Sequence, residues 1–195
     1  MNDKTIDNET GEFVGGNELT QVQEINPAVA AEINQQVATA RRFPRRRDKD
    51  IADEIFGRAT LNEEIASECI YSLKRGEKDI IGPSIRFAEI VRASFGNIRV
   101  AARFVRLDVD DPERGAVIVE AACLDVQTNN SEIIPVRRSV MTSASGGRKP
   151  RLFNADMINM TVNAASSIAR RNAIFAVVPK AVWISGFQRA VQVVK

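Results

Sequence analysis

Arginines at strand-like spacing are the residues of this sequence whose chemistry is easiest to interpret. Arg99 and Arg103 lie four positions apart in an alternation with apolar residues, so an extended strand would place both on one face. Arg137 takes a comparable polar position in a later alternating segment. A guanidinium group binds phosphate through paired hydrogen bonds, and several such groups neutralise a polyanionic backbone. The spacing predicts a surface that binds a nucleic-acid strand by its phosphates.

Further basic residues flank these segments. A glycine-containing loop and the long helix after it add cations, and five arginines and one lysine within residues 41–49 form the densest charge run. The expected DNA contacts are Arg99, Arg103, Arg137, Arg138, Arg148, Lys149, Arg151, Arg170 and Arg171, and the run adds Arg45, Arg46 and Arg47. Two alternatives stay open: the run is a solvated linker, and the other arginines are solvated singly or paired with carboxylates such as Glu120.

Composition excludes several kinds of catalytic site. The sequence has no histidine, which removes Ser-His-Asp and Cys-His catalysis and most zinc sites. The one glycine-rich basic loop, residues 146–150, lacks the spacing of a phosphate-binding P-loop, and Pro150 has no amide donor. We therefore expect a protein that is not an enzyme and that uses neither cofactor nor metal.

An acidic segment keeps one enzymatic alternative open. Asp108, Asp110, Asp111 and Glu113 lie close together, and carboxylate oxygens suit Mg²⁺ or Ca²⁺. The segment does not match the calcium-binding loop of an EF-hand, so a solvated hairpin turn is the preferred interpretation. A magnesium-dependent enzyme is the alternative, because such chemistry needs no histidine.

Charge is unevenly distributed along the chain. Residues 1–40 carry one lysine and seven acidic residues, a net charge of −6, whereas residues 41–195 carry 26 basic and 18 acidic residues, a net charge of +8. We predict that the first segment is largely disordered because it is polar and mostly aperiodic. It either competes with an anionic ligand or acts as a solubilising leader. The second segment is long enough for one DNA-binding domain.

Export and membrane signals are not evident in the sequence. No apolar run reaches the length of a membrane span, and the first residues contain no apolar leader, which favours a cytoplasmic protein. Cys69 and Cys123 lie far apart in apolar surroundings and are expected to be buried thiols.

Helical periodicity predicts the elements on either side of a central sheet. It indicates a short helix over residues 27–39, a longer one over 50–75 with a break near Thr60, and one over 85–95. A long helix through about residue 177 and a final amphipathic helix follow the sheet. The expected buried stripe of the long helix includes Met157, Met160, Ala164, Ile168 and Phe175.

Period-two alternation predicts three strands between these helices. They cover residues 98–105, 116–125 and 133–141, and short turns join them as an antiparallel meander. Pro135 indicates that the third strand lies at a sheet edge. The expected fold is therefore α+β: a three-stranded antiparallel meander packed against a long helix, flanked by N-terminal and C-terminal helices.

An ordered series of short segments resembles phage single-strand annealing proteins of the RecT and Red-beta class. The resemblance runs from about residue 50 to residue 190. The segments that carry it are GPSIRFAE (82–89), FGNI (95–98), CLDVQTN (123–129), ARRNAI (169–174) and Val178-Pro179.

The resemblance implies a function and partners. It implies binding and ATP-independent annealing of single-stranded DNA in phage homologous recombination, inside the bacterial host cell. The annealed duplex intermediate, a phage exonuclease and a host single-strand-binding protein are the implied partners. It also implies a cationic groove between sheet and helix, which by position would be lined by the basic loop and by Arg99, Arg103, Arg137, Arg170 and Arg171. The alternative is a phage regulatory module that binds nucleic acid or protein without annealing.

The resemblance also implies a homo-oligomeric ring or filament. Apolar helix surface around Trp183 and Phe187 is expected to contribute to contacts between subunits. The alternative is that this last helix packs on its own domain.

Overall fold

The computed structural model describes residues 27–44, 46–76, 78–109, 114–142 and 149–194. The chain divides into units of residues 1–38 and 39–195. No helix in the described ranges is long and apolar enough to cross a membrane. The elements in chain order are α1 (Pro27–Arg42), α2 (Asp48–Ala59), α3 (Glu63–Glu68), β1 (Ile70–Arg75), β2 (Lys78–Pro83), α4 (Ile85–Phe95), β3 (Ile98–Asp108), β4 (Ala116–Asp125), β5 (Asn130–Ser139), α5 (Ala155–Val177) and α6 (Lys180–Val193).

Three antiparallel strands form the larger sheet, in the order β3-β4-β5, and α5 packs across one face of it. The predicted α+β arrangement is confirmed. β5 is an edge strand and contains Pro135, which has no amide hydrogen to offer a further neighbour. The sheet therefore has one face beneath α5 and a second face that points away from it.

Helix α5 uses small residues to approach the sheet. Ala165, Ala169 and Ala173 are fully buried. The predicted stripe is wrong for its first three members, since Met157 and Ala164 are exposed and Met160 is 64% exposed. The prediction placed methionines against the sheet because they are large and apolar. The structure instead places alanines there, because a methyl side chain lets the helix pack closely on the sheet.

Four aromatic rings pack together where α4, α5 and α6 meet. Phe87 of α4 is fully buried, and its ring centroid lies between 5.5 and 6.2 Å from those of Phe175, Trp183 and Phe187. The Trp183 indole also donates a hydrogen bond to the Val178 carbonyl at 3.3 Å. The expectation of spare apolar surface around Trp183 and Phe187 is therefore wrong, because α6 uses these rings to pack on its own domain.

A two-stranded hairpin replaces the end of the predicted helix over residues 50–75. β1 pairs antiparallel with β2, and Gly76 has a φ of 61° in the turn between them. The helical spacing of Ile65, Cys69 and Leu73 extended the prediction too far. Leu73 is exposed in the structure, so it does not continue the buried stripe.

Both cysteines are buried and reduced, as the sequence predicts. Burial raises the pKa of the Cys69 thiol from its ordinary value of 9.0 to about 11, and burial raises the pKa of Cys123 equally to about 11. Adjacent carboxylates, Glu68 and Asp125 respectively, add to the effect. A raised pKa means that the folded state holds these protons more tightly than the unfolded chain.

Thiol labelling and alkaline unfolding test this burial together. At pH 8 we expect a maleimide to label neither cysteine in the native protein and both in guanidinium, because only an exposed thiolate reacts rapidly. The thiols should contribute their full stabilisation below pH 9.0 and lose it as the pH rises through about 11. Rapid labelling of the native protein at pH 8 would contradict the assignment.

Candidate nucleic-acid interface

The sheet face opposite α5, hereafter the outer face, has exposed residues on all three strands, although Ala116 of β4 is fully buried. Antiparallel register aligns its side chains in five rows across the three strands, about 6.8 Å apart along each strand. In order, the rows are Arg99-Leu124-Ser131, Ala101-Ala122-Ile133, Arg103-Glu120-Pro135, Arg106-Ile118-Arg137 and Asp108-Ala116-Ser139. On the opposite face of β4, Val117, Val119, Ala121 and Cys123 are buried. The outer face is therefore the polar face of the sheet.

Three of the predicted contacts lie together on the outer face. Arg99, Arg103 and Arg137 project from the same side of the sheet, as their spacing predicts. All three are exposed. The strand alternation therefore brings these cations together on one surface.

Sequence reasoning missed a fourth arginine on this surface. Strict alternation after Phe104 would turn Arg106 toward the core, but the register shifts by one residue between Phe104 and Arg106. A β-bulge inserts one extra residue, here Val105, and so reverses the side that later residues face. Arg106 consequently pairs with Ile118 on the outer face.

Two of the four arginines are paired with protein groups. Nε and Nη2 of Arg103 donate to one carboxylate oxygen of Glu120, at 3.2 and 3.0 Å. Nη2 of Arg137 donates to the Arg114 carbonyl at 2.9 Å and lies 3.8 Å from a carboxylate oxygen of Asp108. The alternative of pairing with Glu120 is thus correct for Arg103.

The other two arginines keep their donors available. Neither Arg99 nor Arg106 has a hydrogen-bonding or ion-pairing partner within the described residues. With four arginines against Glu120 and Asp108, the outer face carries a net charge of +2. An exposed guanidinium without a protein partner is free to bind a phosphate by two hydrogen bonds.

A shallow depression interrupts this polar surface. Its volume is about 190 Å³. We call Ala101 and Ala122 of the second row its floor, and the other lining residues are Ala102, Arg103, Glu120 and Ile133. The depression exists because two alanines stand between rows of longer side chains. The side chain of Ile133 is 65% exposed at its edge.

The predicted groove between sheet and helix is not formed by the residues assigned to it. Arg170 and Arg171 belong to α5, which covers the face opposite Arg99 and Arg103. Arg138 pairs with Val117 and projects on that opposite face as well. The basic residues of the outer face and those of α5 lie on opposite sides of the sheet. They therefore cannot line one groove.

Arg171 is held by neighbouring groups. Its guanidinium lies 4.8 Å from the centroid of the Tyr71 ring and donates to the side-chain oxygen of Asn172 at 3.1 and 3.0 Å. The Nε of Arg170 is buried without a hydrogen-bond partner in the part of the chain that the structure describes. Both positions fit a packing role in α5 better than an open phosphate site.

The described residues on either side of the basic loop, 141–142 and 149–152, lie at the end of the sheet. The base of the loop is closed by a bridge between Met141 and Leu152 and by a hydrogen bond of 2.8 Å from the Thr142 amide to the Arg151 carbonyl. Arg151 and Lys149 are exposed there. Arg148 falls outside the described residues, so its placement stays a prediction.

The part of the arginine run that directly precedes α2 pairs with acidic residues of that helix. Arg46 contacts Glu54 at 2.7 Å and donates to the Ser94 carbonyl at 3.0 Å. Arg47 contacts Asp50 at 3.0 Å. A hydrogen bond from Arg46 lowers the pKa of Glu54, and one from Arg47 lowers the pKa of Asp50. Arg46 and Arg47 are therefore engaged within the protein.

The remaining predicted contacts divide by exposure. Arg45 falls outside the described residues. Phe43 and Phe153 are aromatic residues beside these basic segments, and an aromatic ring can stack on a base. Phe43 is exposed, whereas Phe153 is half-buried and packs against the core.

The metal-site alternative gains no support in the described residues. Within the described ranges, no three His, Cys, Asp or Glu side chains are grouped so that they could hold a metal. Asp108 lies beside Arg137 instead. Asp110, Asp111 and Glu113 fall outside the described residues.

The sequence and the structure were compared with known proteins. The chain has no significant match to a protein-family model, to a curated protein or to a solved structure.

Proposed function

We propose that this protein binds single-stranded DNA on its outer face and anneals complementary strands without ATP. The observation that carries the proposal is the exposed sheet face with four arginines, two of which, Arg99 and Arg106, have no partner within the described residues. An open sheet with cations around an apolar patch suits a strand whose phosphates are charged and whose bases are apolar on their faces.

Annealing on such a surface needs no chemical step. Guanidinium groups neutralise phosphates and so reduce the repulsion between two strands. Bases that are not held by the protein are free to pair, and pairing itself supplies the free energy. The resemblance to the RecT and Red-beta class adds a homo-oligomer and a partner exonuclease to the proposal.

A strand-joining assay tests the proposal. Two complementary oligonucleotides, each carrying one dye of an energy-transfer pair, should join faster when the protein is present and ATP and Mg²⁺ are absent. The rate should fall as salt rises, because each neutralised phosphate contributes about −0.7 to the logarithmic salt slope of binding. Non-complementary strands serve as the control and should not join.

Each other result of this assay identifies a different function. Binding without faster joining would replace annealing by the regulatory alternative. In a parallel sample with Mg²⁺, shortening of the oligonucleotides on a gel would favour a magnesium-dependent enzyme. A protein that binds neither strand would overturn the proposal altogether.

A further inference from the structure

The depression on the outer face has the size and lining of a site for one aromatic ring system. An apolar cavity of about 150 Å³ is large enough to hold benzene. The depression offers about 190 Å³ above the methyl groups of Ala101 and Ala122. Such a floor is flat and apolar, which suits the face of a planar ring and not a charged group.

Charge at its rim specifies what kind of ring would enter. Arg99 occupies the row directly before the depression and has no partner in the described part of the chain. Arg103 and Glu120 occupy the row directly after it. A cation about 6.8 Å along the strand from an apolar floor suits a ligand that joins a planar ring to an anion. A nucleotide within a strand has both parts.

We propose that the depression holds one nucleobase of the bound strand, with the adjoining phosphate at Arg99. This inference rests on the proposed binding of single-stranded DNA to the outer face. Ala101 and Ala122 contact the face of the base, and the exposed side chain of Ile133 covers its edge.

The Arg103–Glu120 pair makes the site tolerant of base identity. Both of its hydrogen bonds go to one carboxylate oxygen, so Nη1 of Arg103 and the second oxygen of Glu120 form no other hydrogen bond with described residues. The pair therefore keeps one donor group and one acceptor atom that a base at the rim can use. Each of the four DNA bases carries an acceptor beside a donor on its pairing edge, so each can satisfy both groups.

Occupancy of this site has a consequence for annealing. A base held there is withheld from pairing, whereas its neighbours along the strand stay open. Pairing can begin at those neighbours, and the held base leaves the site as the duplex reaches it.

Filling the depression tests the inference. Ala122→Leu adds three carbons to its floor without changing charge, and Ala122 is an exposed position. We expect this variant to lose about tenfold in affinity for a short oligonucleotide, the order of one stacked base. Its affinity for an abasic strand of equal length, which has the phosphates and no bases, should equal that of the wild type.

Ser131→Leu is the matched control. Ser131 lies on the same face one row away and does not line the depression. Because it fills no base site, this variant should lose no more affinity for the normal strand than for the abasic strand. Oligonucleotides of dA, dC, dG and dT should bind the wild type with similar affinity.

The outcomes separate the two proposals. If the wild type binds the abasic strand as tightly as the normal one, the base site is overturned and DNA binding stands. Equal losses in Ala122→Leu and Ser131→Leu, or an equal loss on the abasic strand, would also overturn it. If the wild type binds no strand at all, the proposed function fails as well.

Discussion

Replacing Arg99 and Arg106 together with alanine is expected to weaken binding of single-stranded DNA about sixtyfold at about 0.05 M salt. The estimate follows from two lost phosphate contacts, each contributing about −0.7 to the logarithmic salt slope, so the slope itself should shrink by about 1.4. Fluorescence anisotropy of a labelled oligonucleotide over a salt series measures both quantities. Stability should not change, because neither side chain has a partner within the described residues.

A second pair of arginines provides the control for this experiment. Arg92 of α4 and Arg189 of α6 are exposed and lie on helices. Their joint replacement by alanine removes the same charge from the protein. If this control weakens binding as much as the outer-face pair does, affinity follows net charge, and the outer face is not the binding surface.

The main elements of the fold could be predicted because their periodicity is long and regular. The three strands alternate over eight or more positions, and α5 keeps helical spacing up to the residues before Pro179. The hairpin β1-β2 could not be predicted in the same way, since helical spacing at Ile65, Cys69 and Leu73 competes with its strand-forming residues. Short segments of this kind adopt the conformation that their tertiary surroundings favour.

The candidate site could be predicted as far as strict alternation holds. Arg99, Arg103 and Arg137 lie where the period of two places them. Arg106 does not, because the bulge at Val105 shifts the register. The mismatch is visible in the sequence: continued alternation would place Arg106 on the face beneath α5, and a slip of one residue returns it to the polar face.

The helix arginines lie on the other side of the sheet from Arg99 and Arg103, for a reason that the sequence also contains. A helix covers the apolar face of a sheet, so its residues lie on the side opposite a polar face. Arg170 and Arg171 could therefore not join Arg99 and Arg103 in one groove. The depression, by contrast, depends on which residues of β3, β4 and β5 lie side by side, and that register was not available from alternation alone.

Phe87→Ala is expected to lower the free energy of unfolding by about 3–5 kcal/mol, the range for a fully buried phenylalanine. The ring of Phe87 has no solvent exposure and contacts Phe175, Trp183 and Phe187. Its removal leaves a cavity between three helices, and the remaining large rings cannot collapse into that space without losing contacts of their own. A urea titration followed by Trp183 fluorescence reports this directly, since Trp183 belongs to the cluster.

Phe43→Ala makes the same chemical change at a surface position and serves as the control. The side chain of Phe43 is 65% exposed, so its removal should change the free energy of unfolding by about 0.5 kcal/mol or less. Similar urea midpoints for the two variants would mean that the aromatic cluster does not stabilise the domain. In that case α6 would be only loosely attached, and the apolar surface around Trp183 and Phe187 would again be available to a second subunit. A large difference between the variants instead assigns these rings to the core, so that the proposed homo-oligomer would need another surface of the protein for its subunit contacts.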